Sequence, residues 1–287
     1  MKDTVLSTLA LDLLERFAAQ PRHTENKVDT RRPAQLPSQS PAQSPAQSLI
    51  GTTVRSTGRA SEEPHTQSIA SSAAKPSDTA GTPYTADSGN RRIIVAVAGP
   101  PGSGKSTLAE ALVNAVNEAA GTPLSVIVPM DGFHFDNAIL EQRGWLNRKG
   151  APHTFDVAGY EQCIRALRQA GDAQSVYVPV FDRALDLARA GAREVTPEQS
   201  IIITEGNYLL LNQPGWHQLT DLFDYRVYLE VNESVLHQRL TQRWLDHGFS
   251  TQDATTRAES NDLPNARVVV QHRLHADQVI DGTAPHD

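Results

Sequence analysis

The sequence predicts an α/β domain of three layers, in which helices cover both faces of a mainly parallel β-sheet. Residues 93–98 and 201–203 are uninterrupted apolar runs, which are typical of strands that are buried on both faces. Between them, residues 108–116 place apolar side chains at helical spacing. Strands that alternate with helices along a chain favour a parallel sheet.

Composition divides the 287 residues into three parts. Residues 21–90 contain a single aromatic residue, Tyr84, and repeated Ser-Pro-Ala-Gln units, so they are predicted to be a disordered low-complexity linker. Residues 1–20 are predicted to form a short amphipathic helix, which docks a protein partner, packs on its own domain or frays. Residues 91–287 hold most of the aromatic side chains and are expected to form one globular domain.

Charge and cysteine content exclude several classes of protein. The net charge of -7 falls on residues 91–287, which carry 17 basic and 24 acidic residues, so a nucleic-acid partner is not expected. The single cysteine, Cys163, rules out an intramolecular disulfide and fits a reducing compartment. No apolar run approaches the length of about 18 residues that would indicate a membrane span. A cytoplasmic protein without a membrane partner is therefore expected.

A glycine-rich loop follows the first strand and satisfies the pattern G-x-x-x-x-G-K-[ST]. In this pattern, backbone N–H groups converge on phosphate oxygens, the lysine reaches the terminal phosphates, and the hydroxyl after it binds Mg²⁺. The spacing predicts an ATP site, with Ser106 as a metal ligand. The predicted nucleotide-binding residues are Gly99, Pro100, Pro101, Gly102, Ser103, Gly104, Lys105, Ser106 and Thr107.

Charged residues that suit phosphoryl transfer follow other strands and one helix. Asp131 comes directly after the apolar strand 126–130 and is predicted to be the catalytic base. Glu205 ends the strand 201–204 and is predicted to be the second Mg²⁺ ligand. Arg239 and Arg243 lie one turn apart on a predicted helix and are expected, with Lys105, to stabilise the transferred charge. These residues predict an ATP- and Mg²⁺-dependent small-molecule kinase.

The motifs resemble those of the phosphoribulokinase/uridine kinase group of P-loop kinases, which includes bacterial pantothenate kinases. The resemblance covers about residues 92–281, and the strings MDGFHFDN, KGAPHTFD, EGNYLLL and NDLPNA are closest to a bacterial branch described as nucleoside/nucleotide kinase-like or fructose-transport kinase-like. It implies a P-loop NTPase fold with a mainly parallel five-stranded sheet of order 2-3-1-4-5 and a helical lid. It also implies transfer of the γ-phosphoryl group of ATP to a hydroxyl of a sugar, nucleoside or pantothenate-like metabolite.

The residues expected on the substrate side each have a second interpretation. Asp156 either accepts hydrogen bonds from a sugar diol or caps the helix that follows it, and Lys149 either holds an anionic acceptor or is simply solvated. The remaining substrate candidates are His134, Asp182 and Arg183. The alternative function is an ATP-binding regulator that acts through a partner docked by the N-terminal arm. A small-molecule substrate is the expected ligand, and a homodimer stays open.

Overall fold

The computed structural model describes residues 2–19, 92–170 and 174–283. The predicted linker, residues 21–90, lies outside these described residues. The described part contains seven strands, which are β1 (Ile93–Ala98), β2 (Ser125–Pro129), β3 (Val176–Asp182), β4 (Leu187–Val195), β5 (Ile201–Gly206), β6 (Tyr225–Glu230) and β7 (Gln278–Asp281). Its helices are α1 (Lys2–Ala18), α2 (Lys105–Ala120), α3 (Asn137–Gln142), α4 (Val157–Ala170), α5 (Glu233–Asp246), α6 (Thr251–Arg257) and α7 (Leu263–Gln271).

Five of these strands form one parallel sheet in the order β2-β5-β1-β6-β7. Numbered by their succession within this sheet, the strands have the order 2-3-1-4-5, as the family resemblance implies. The predicted fold class is confirmed. In the sheet register, Glu205 lies opposite Val97 on one side and Pro129 on the other. Parallel strands end at the same edge, so the segments that follow β1, β2 and β5 meet there.

Strand β1 shows why the central strands are apolar throughout. Its residues alternate between the two faces: Ile93, Val95 and Val97 join one core cluster, whereas Ile94 and Ala96 join the other. Helices α1 and α2 cover the first face, and α4 covers the second. Both faces are covered, so a polar side chain at any of these positions would be desolvated.

Helix α1 packs on the domain of its own chain. Leu9 is 2% exposed and Leu13 is fully buried, in one cluster with Leu112 of α2. The Arg16 guanidinium lies 4.5 Å from the centroid of the Tyr225 ring, at the same surface. Of the arrangements that the apolar spacing left open, the structure shows packing of the helix on its own domain. Within the described ranges, no helix is long and apolar enough to cross a membrane.

Strands β3 and β4 form a separate antiparallel hairpin that rests against the turn after β2. The approach is close at Gly132, where a Cβ atom would overlap the carbonyl group of Pro179. Arg193 of β4 donates a hydrogen bond to the carbonyl oxygen of Ile127 at 2.5 Å. The hairpin thereby fixes the position of the segment that carries Asp131.

A buried arginine joins the start of β1 to two neighbouring segments. The Arg92 side chain is fully buried, and its guanidinium donates to the carbonyl oxygens of Gln199 (2.9 Å), Leu167 (3.1 Å) and Thr196 (2.9 Å). These carbonyl groups belong to the end of α4 and the turn before β5. Since a buried cation is tolerated only when its donors are satisfied, Arg92 acts as a structural anchor.

Candidate active site

The predicted phosphate-binding loop connects β1 to α2 with the backbone that its sequence requires. Gly102 and Gly104 have φ angles of 79° and 90°, in the left-handed region that favours glycine. A Cβ atom on Gly99 would lie 2.7 Å from the Ser103 hydroxyl oxygen and 3.1 Å from the Leu229 carbonyl oxygen, so a side chain here would force these neighbours to shift. The loop conformation therefore depends on its glycines.

The end of the loop offers hydrogen-bond donors and one unsatisfied hydroxyl. Helix α2 begins at Lys105, and its N-cap residue Gly104 provides no capping side chain. The first N–H groups of a helix lack intrahelical partners and favour a bound anion. Ser103 Oγ is buried and has no hydrogen-bond partner among the described residues. These features fit the phosphate groups of a nucleotide.

Three charged side chains converge beside this loop. Glu205 lies opposite Pro129, and Asp131 follows Pro129 by two residues at the same edge of the sheet. Lys105 starts α2 and experiences the charges of both carboxylates. The Ser106 side chain is close enough to Glu205 to lower the pKa of that carboxyl. The residues predicted as base, metal ligands and phosphate-binding lysine are thus brought together.

Burial shifts the proton affinities of the central pair in opposite directions. Removal from water lowers the pKa of the Lys105 ammonium, although Glu205 and Asp131 act against this change. Burial likewise raises the pKa of the Glu205 carboxyl, while Lys105 and the Ser106 hydroxyl act against it. Glu205 is held largely out of water, and Lys105 is half-buried. A phosphate group beside Lys105 or a divalent cation beside Glu205 would favour the charged form of that side chain.

Arginines from the hairpin and from α5 surround these residues. Arg183 Nη2 lies 3.7 Å from Asp131 Oδ2, with the arginine side chain largely exposed. Arg239 Nη1 donates to the carbonyl oxygen of Ser103 at 3.4 Å, and Arg243 is near enough to lower the pKa of Lys105. Helix α5 thus carries both predicted lid arginines toward the phosphate-binding loop. The fit is close, since a Cβ atom on Gly102 would lie 3.1 Å from Leu240 Cγ.

His134 forms an aromatic wall next to Asp131. Its ring lies 4.0 Å from the Phe155 ring and 4.8 Å from the Phe181 ring, between centroids. His134 Nδ1 donates to the Asp131 carbonyl oxygen at 2.8 Å, which fixes the ring orientation. Burial lowers the pKa of His134, so the imidazole is neutral at pH 7. Lys149 Nζ lies 5.1 Å from the Phe181 centroid, at the rim of this wall.

Other substrate-side candidates are engaged in local structure. Asp156 is exposed and accepts a hydrogen bond from the Gly159 N–H at 2.9 Å, which is a cap at the start of α4. Asp182 accepts from the N–H groups of Ala184 and Leu185 in the turn of the β3–β4 hairpin, both at 3.1 Å. Lys149 Nζ lies 2.9 Å from Asp186 Oδ1, with which it forms an ion pair. Each of these side chains therefore has a contact within the protein, and none of these contacts indicates a ligand.

Two residues of the site carried no separate sequence prediction. The ring of Tyr208 packs against Phe155 and Trp216, and its hydroxyl donates to the Gly150 carbonyl oxygen at 2.5 Å. Asp262 is buried and contacts Arg243. Each lies within a quoted motif, EGNYLLL or NDLPNA. The hydrogen-bond partners of both residues are distant in the sequence, so motif spacing alone does not identify these contacts.

The fold and the loop together define a P-loop kinase, and comparison with known proteins identifies its family. The sequence profile of the "Phosphoribulokinase / Uridine kinase family" matches residues 94–283. The chain belongs to this family and is an ATP-dependent kinase, that is, a phosphotransferase. Its site residues lie within the matched range, whereas α1 precedes it.

Individual relatives carry several kinase names. The Schizosaccharomyces pombe protein named "Putative uridine kinase C227.14" is 35% identical over 196 residues, which cover 66% of this chain and 83% of that protein. A pantothenate kinase of Sorangium cellulosum is 31% identical over 169 residues, covering 58% of this chain and 53% of the relative.

The crystal structure of a "putative fructose transport system kinase" from Silicibacter sp. TM1040 is similar in fold and sequence. It is 50% identical, with a TM-score of 0.63, and the match covers 66% of this chain and 90% of the other. These names differ in the substrate that they indicate, so the family membership alone does not identify the acceptor.

Proposed function

We propose that this kinase transfers the γ-phosphoryl group of ATP to a hydroxyl group of a small metabolite. The observation that carries the proposal is the meeting of Lys105, Glu205 and Asp131 at the end of the phosphate-binding loop. Of the two carboxylates, Glu205 is buried beside the Ser106 hydroxyl, whereas Asp131 is half-buried and faces Arg183. Only Asp131 is open enough to meet an incoming hydroxyl group.

Each side chain then has a distinct part in the transfer. Asp131 orients the acceptor hydroxyl and accepts its proton while the oxygen bonds to the γ-phosphorus and the bond to the ADP oxygen breaks. Lys105 neutralises the β- and γ-phosphate oxygens, and Arg239 and Arg243 stabilise the charge of the transferred group. Ser106 and Glu205 would hold Mg²⁺, which when bound neutralises charge on the phosphate oxygens.

The surroundings of Asp131 support a polar metabolite as the acceptor. The wall formed by His134, Phe155 and Phe181 offers aromatic faces, and Lys149 and Arg183 supply charge at its rim. A sugar, a nucleoside or a pantothenate-like compound presents a hydroxyl together with groups that such a surface can bind. The named relatives include a pantothenate kinase and a protein called a uridine kinase, which supports this range. A cytoplasmic location is part of the same proposal.

The alternative is a regulator that binds ATP and engages a partner through the N-terminal arm. The apolar face of α1 is covered by the same chain, and Leu11 on the opposite side is 55% exposed. Partner binding through the buried face would require α1 to leave α2. The kinase proposal needs no such rearrangement and has the stronger support.

The direct test is ADP release by the full chain with Mg²⁺ATP and a panel of ketoses, nucleosides and pantothenate. The full chain is needed because α1 contributes to the core. A single class of acceptor that raises ADP release well above the rate without acceptor would establish the proposal. If ATP binds and no member of the panel raises turnover, the proposal of a sugar, nucleoside or pantothenate-like acceptor is wrong.

A further inference from the structure

A buried carboxylate outside the phosphate-binding loop holds one of the lid arginines. Asp262 is 7% exposed, and its Oδ2 atom accepts hydrogen bonds from Arg243 Nη2 at 3.0 Å and from Trp244 Nε1 at 2.7 Å. These donors are adjacent residues near the end of α5. One oxygen atom therefore orients two consecutive side chains of the lid.

The backbone around Asp262 is unusual. Residues Ala258–Asp262 form a π-helical turn between α6 and α7. Such turns are rare and occur often at functional sites. Arg148 donates to the carbonyl oxygen of Ser260 at 2.8 Å, and Asn261 donates to that of Lys149 at 2.9 Å. The turn is thus tied both to α5 and to the segment beside the aromatic wall.

The arginine that Asp262 holds lies one turn after Arg239 on α5, and Arg239 Nη1 donates to the Ser103 carbonyl oxygen of the phosphate-binding loop at 3.4 Å. Arg243 lies close enough to Lys105 to lower the pKa of that ammonium, and its guanidinium is 5.4 Å from the centroid of the Trp244 ring. An arginine has many rotamers, and fixing one of them has an entropic cost. A buried carboxylate that accepts a charge-assisted hydrogen bond limits that freedom before any ligand binds.

We propose that Asp262 is a positioning residue that holds the Arg243 guanidinium where it meets the terminal phosphate of ATP, an inference that rests on the proposed kinase function. Asp262 itself does not contact the reacting atoms. It acts through Arg243, and Trp244 Nε1 donates to the same carboxylate oxygen. A change at Asp262 should therefore weaken the binding of a nucleotide that carries a γ-phosphate and leave the binding of ADP unchanged.

Calorimetric titration of the full chain in Mg²⁺ buffer, with ADP and with the non-hydrolysable ATP analogue AMP-PNP, separates these contributions. In Asp262→Asn we expect AMP-PNP to bind about tenfold more weakly, which corresponds to one charge-assisted hydrogen bond, and ADP affinity to stay within about twofold. The matched control is Glu259→Gln, an exposed carboxylate of the same π-helical turn that contacts His237. This control should bind both nucleotides as the wild type does.

A double variant shows whether Asp262 acts through Arg243. Arg243→Gln alone should weaken AMP-PNP binding, and adding Asp262→Asn to it should produce no further loss. If Asp262→Asn does not fold, Asp262→Glu replaces it, because the longer side chain keeps the charge and displaces the accepting oxygen. The same selective loss for AMP-PNP is expected.

The outcomes distinguish this inference from the proposed function. If the wild type binds AMP-PNP more tightly than ADP and the Asp262 variants keep that preference, the inference is wrong and the kinase proposal is unaffected. Additive losses in the double variant also overturn the inference. If the wild type does not distinguish the two nucleotides, both the inference and the proposed role of Arg243 fail.

Discussion

Helix α1 is predicted to stabilise the kinase domain through one face only. Leu13 is fully buried against the α2 side of the sheet, whereas Leu11, two residues before it, is 55% exposed. Leu13→Ala removes a buried side chain and should lower the free energy of unfolding by about 3 kcal/mol, within the range for buried leucines. Leu11→Ala makes the same chemical change on the exposed face and should change it by less than about 0.5 kcal/mol.

The assay is urea unfolding of the full chain, monitored by tryptophan fluorescence. Deletion of residues 1–20 sets the upper limit of the effect, because a variant of α1 cannot destabilise the domain by more than complete loss of the helix. The reasoning is refuted if Leu11→Ala and Leu13→Ala have equal midpoints, or if the deletion leaves the midpoint unchanged. Either result would mean that α1 does not contribute to the core in solution.

Three further predictions concern stability and the nucleotide site. Arg92→Ala should lower the free energy of unfolding by about 3 kcal/mol, since buried carbonyl groups lose charged donors; Arg189→Ala, an exposed ion-pair residue, is the control, and equal urea midpoints would contradict the prediction. Ser103→Ala should raise the free energy of unfolding of the nucleotide-free chain by about 1 kcal/mol, because the buried hydroxyl has no hydrogen-bond partner among the described residues. The same variant should show a smaller rise in melting temperature on addition of Mg²⁺ATP, and an unchanged rise would contradict the prediction. Burial lowers the pKa of His134, so as the pH falls below the ordinary value of 6.5 the unfolded chain binds a proton at this residue more readily than the folded chain, and the free energy of unfolding should fall. Urea unfolding at a series of pH values should show a smaller fall in His134→Asn than in the wild type, and an identical fall would contradict this prediction.

The central sheet and the phosphate-binding loop were predictable because their signals are local. Strand β1 is apolar at every position, and the glycines at 102 and 104 occupy backbone conformations that other residues rarely adopt. Strand β4 was not predicted, since its sequence, LARAGAREV, is mostly polar or small, and five of its nine residues are exposed. It forms a strand because it pairs with β3.

Long-range contacts mark the limit of the sequence prediction at the site. Asp131 and Glu205 were identified because each ends an apolar strand, a position that a parallel sheet places near the ligand. The contact between Arg243 and Asp262 joins two segments through a π-helical turn, and no spacing rule indicates it. The destination of α1 was also open, because the same apolar face suits a partner or its own domain.

The most direct test of the account is the effect of Asp131→Asn on turnover and on ATP binding. Asp136→Asn is the matched control: Asp136 caps α3, and asparagine serves equally well at a helix N-cap. With an acceptor that stimulates the wild type, Asp131→Asn should reduce ADP release by about 10²–10⁴-fold and keep the affinity for Mg²⁺ATP, while Asp136→Asn retains activity. Near-normal turnover in Asp131→Asn would contradict the assignment of Asp131 as the base and, with it, the proposed mechanism.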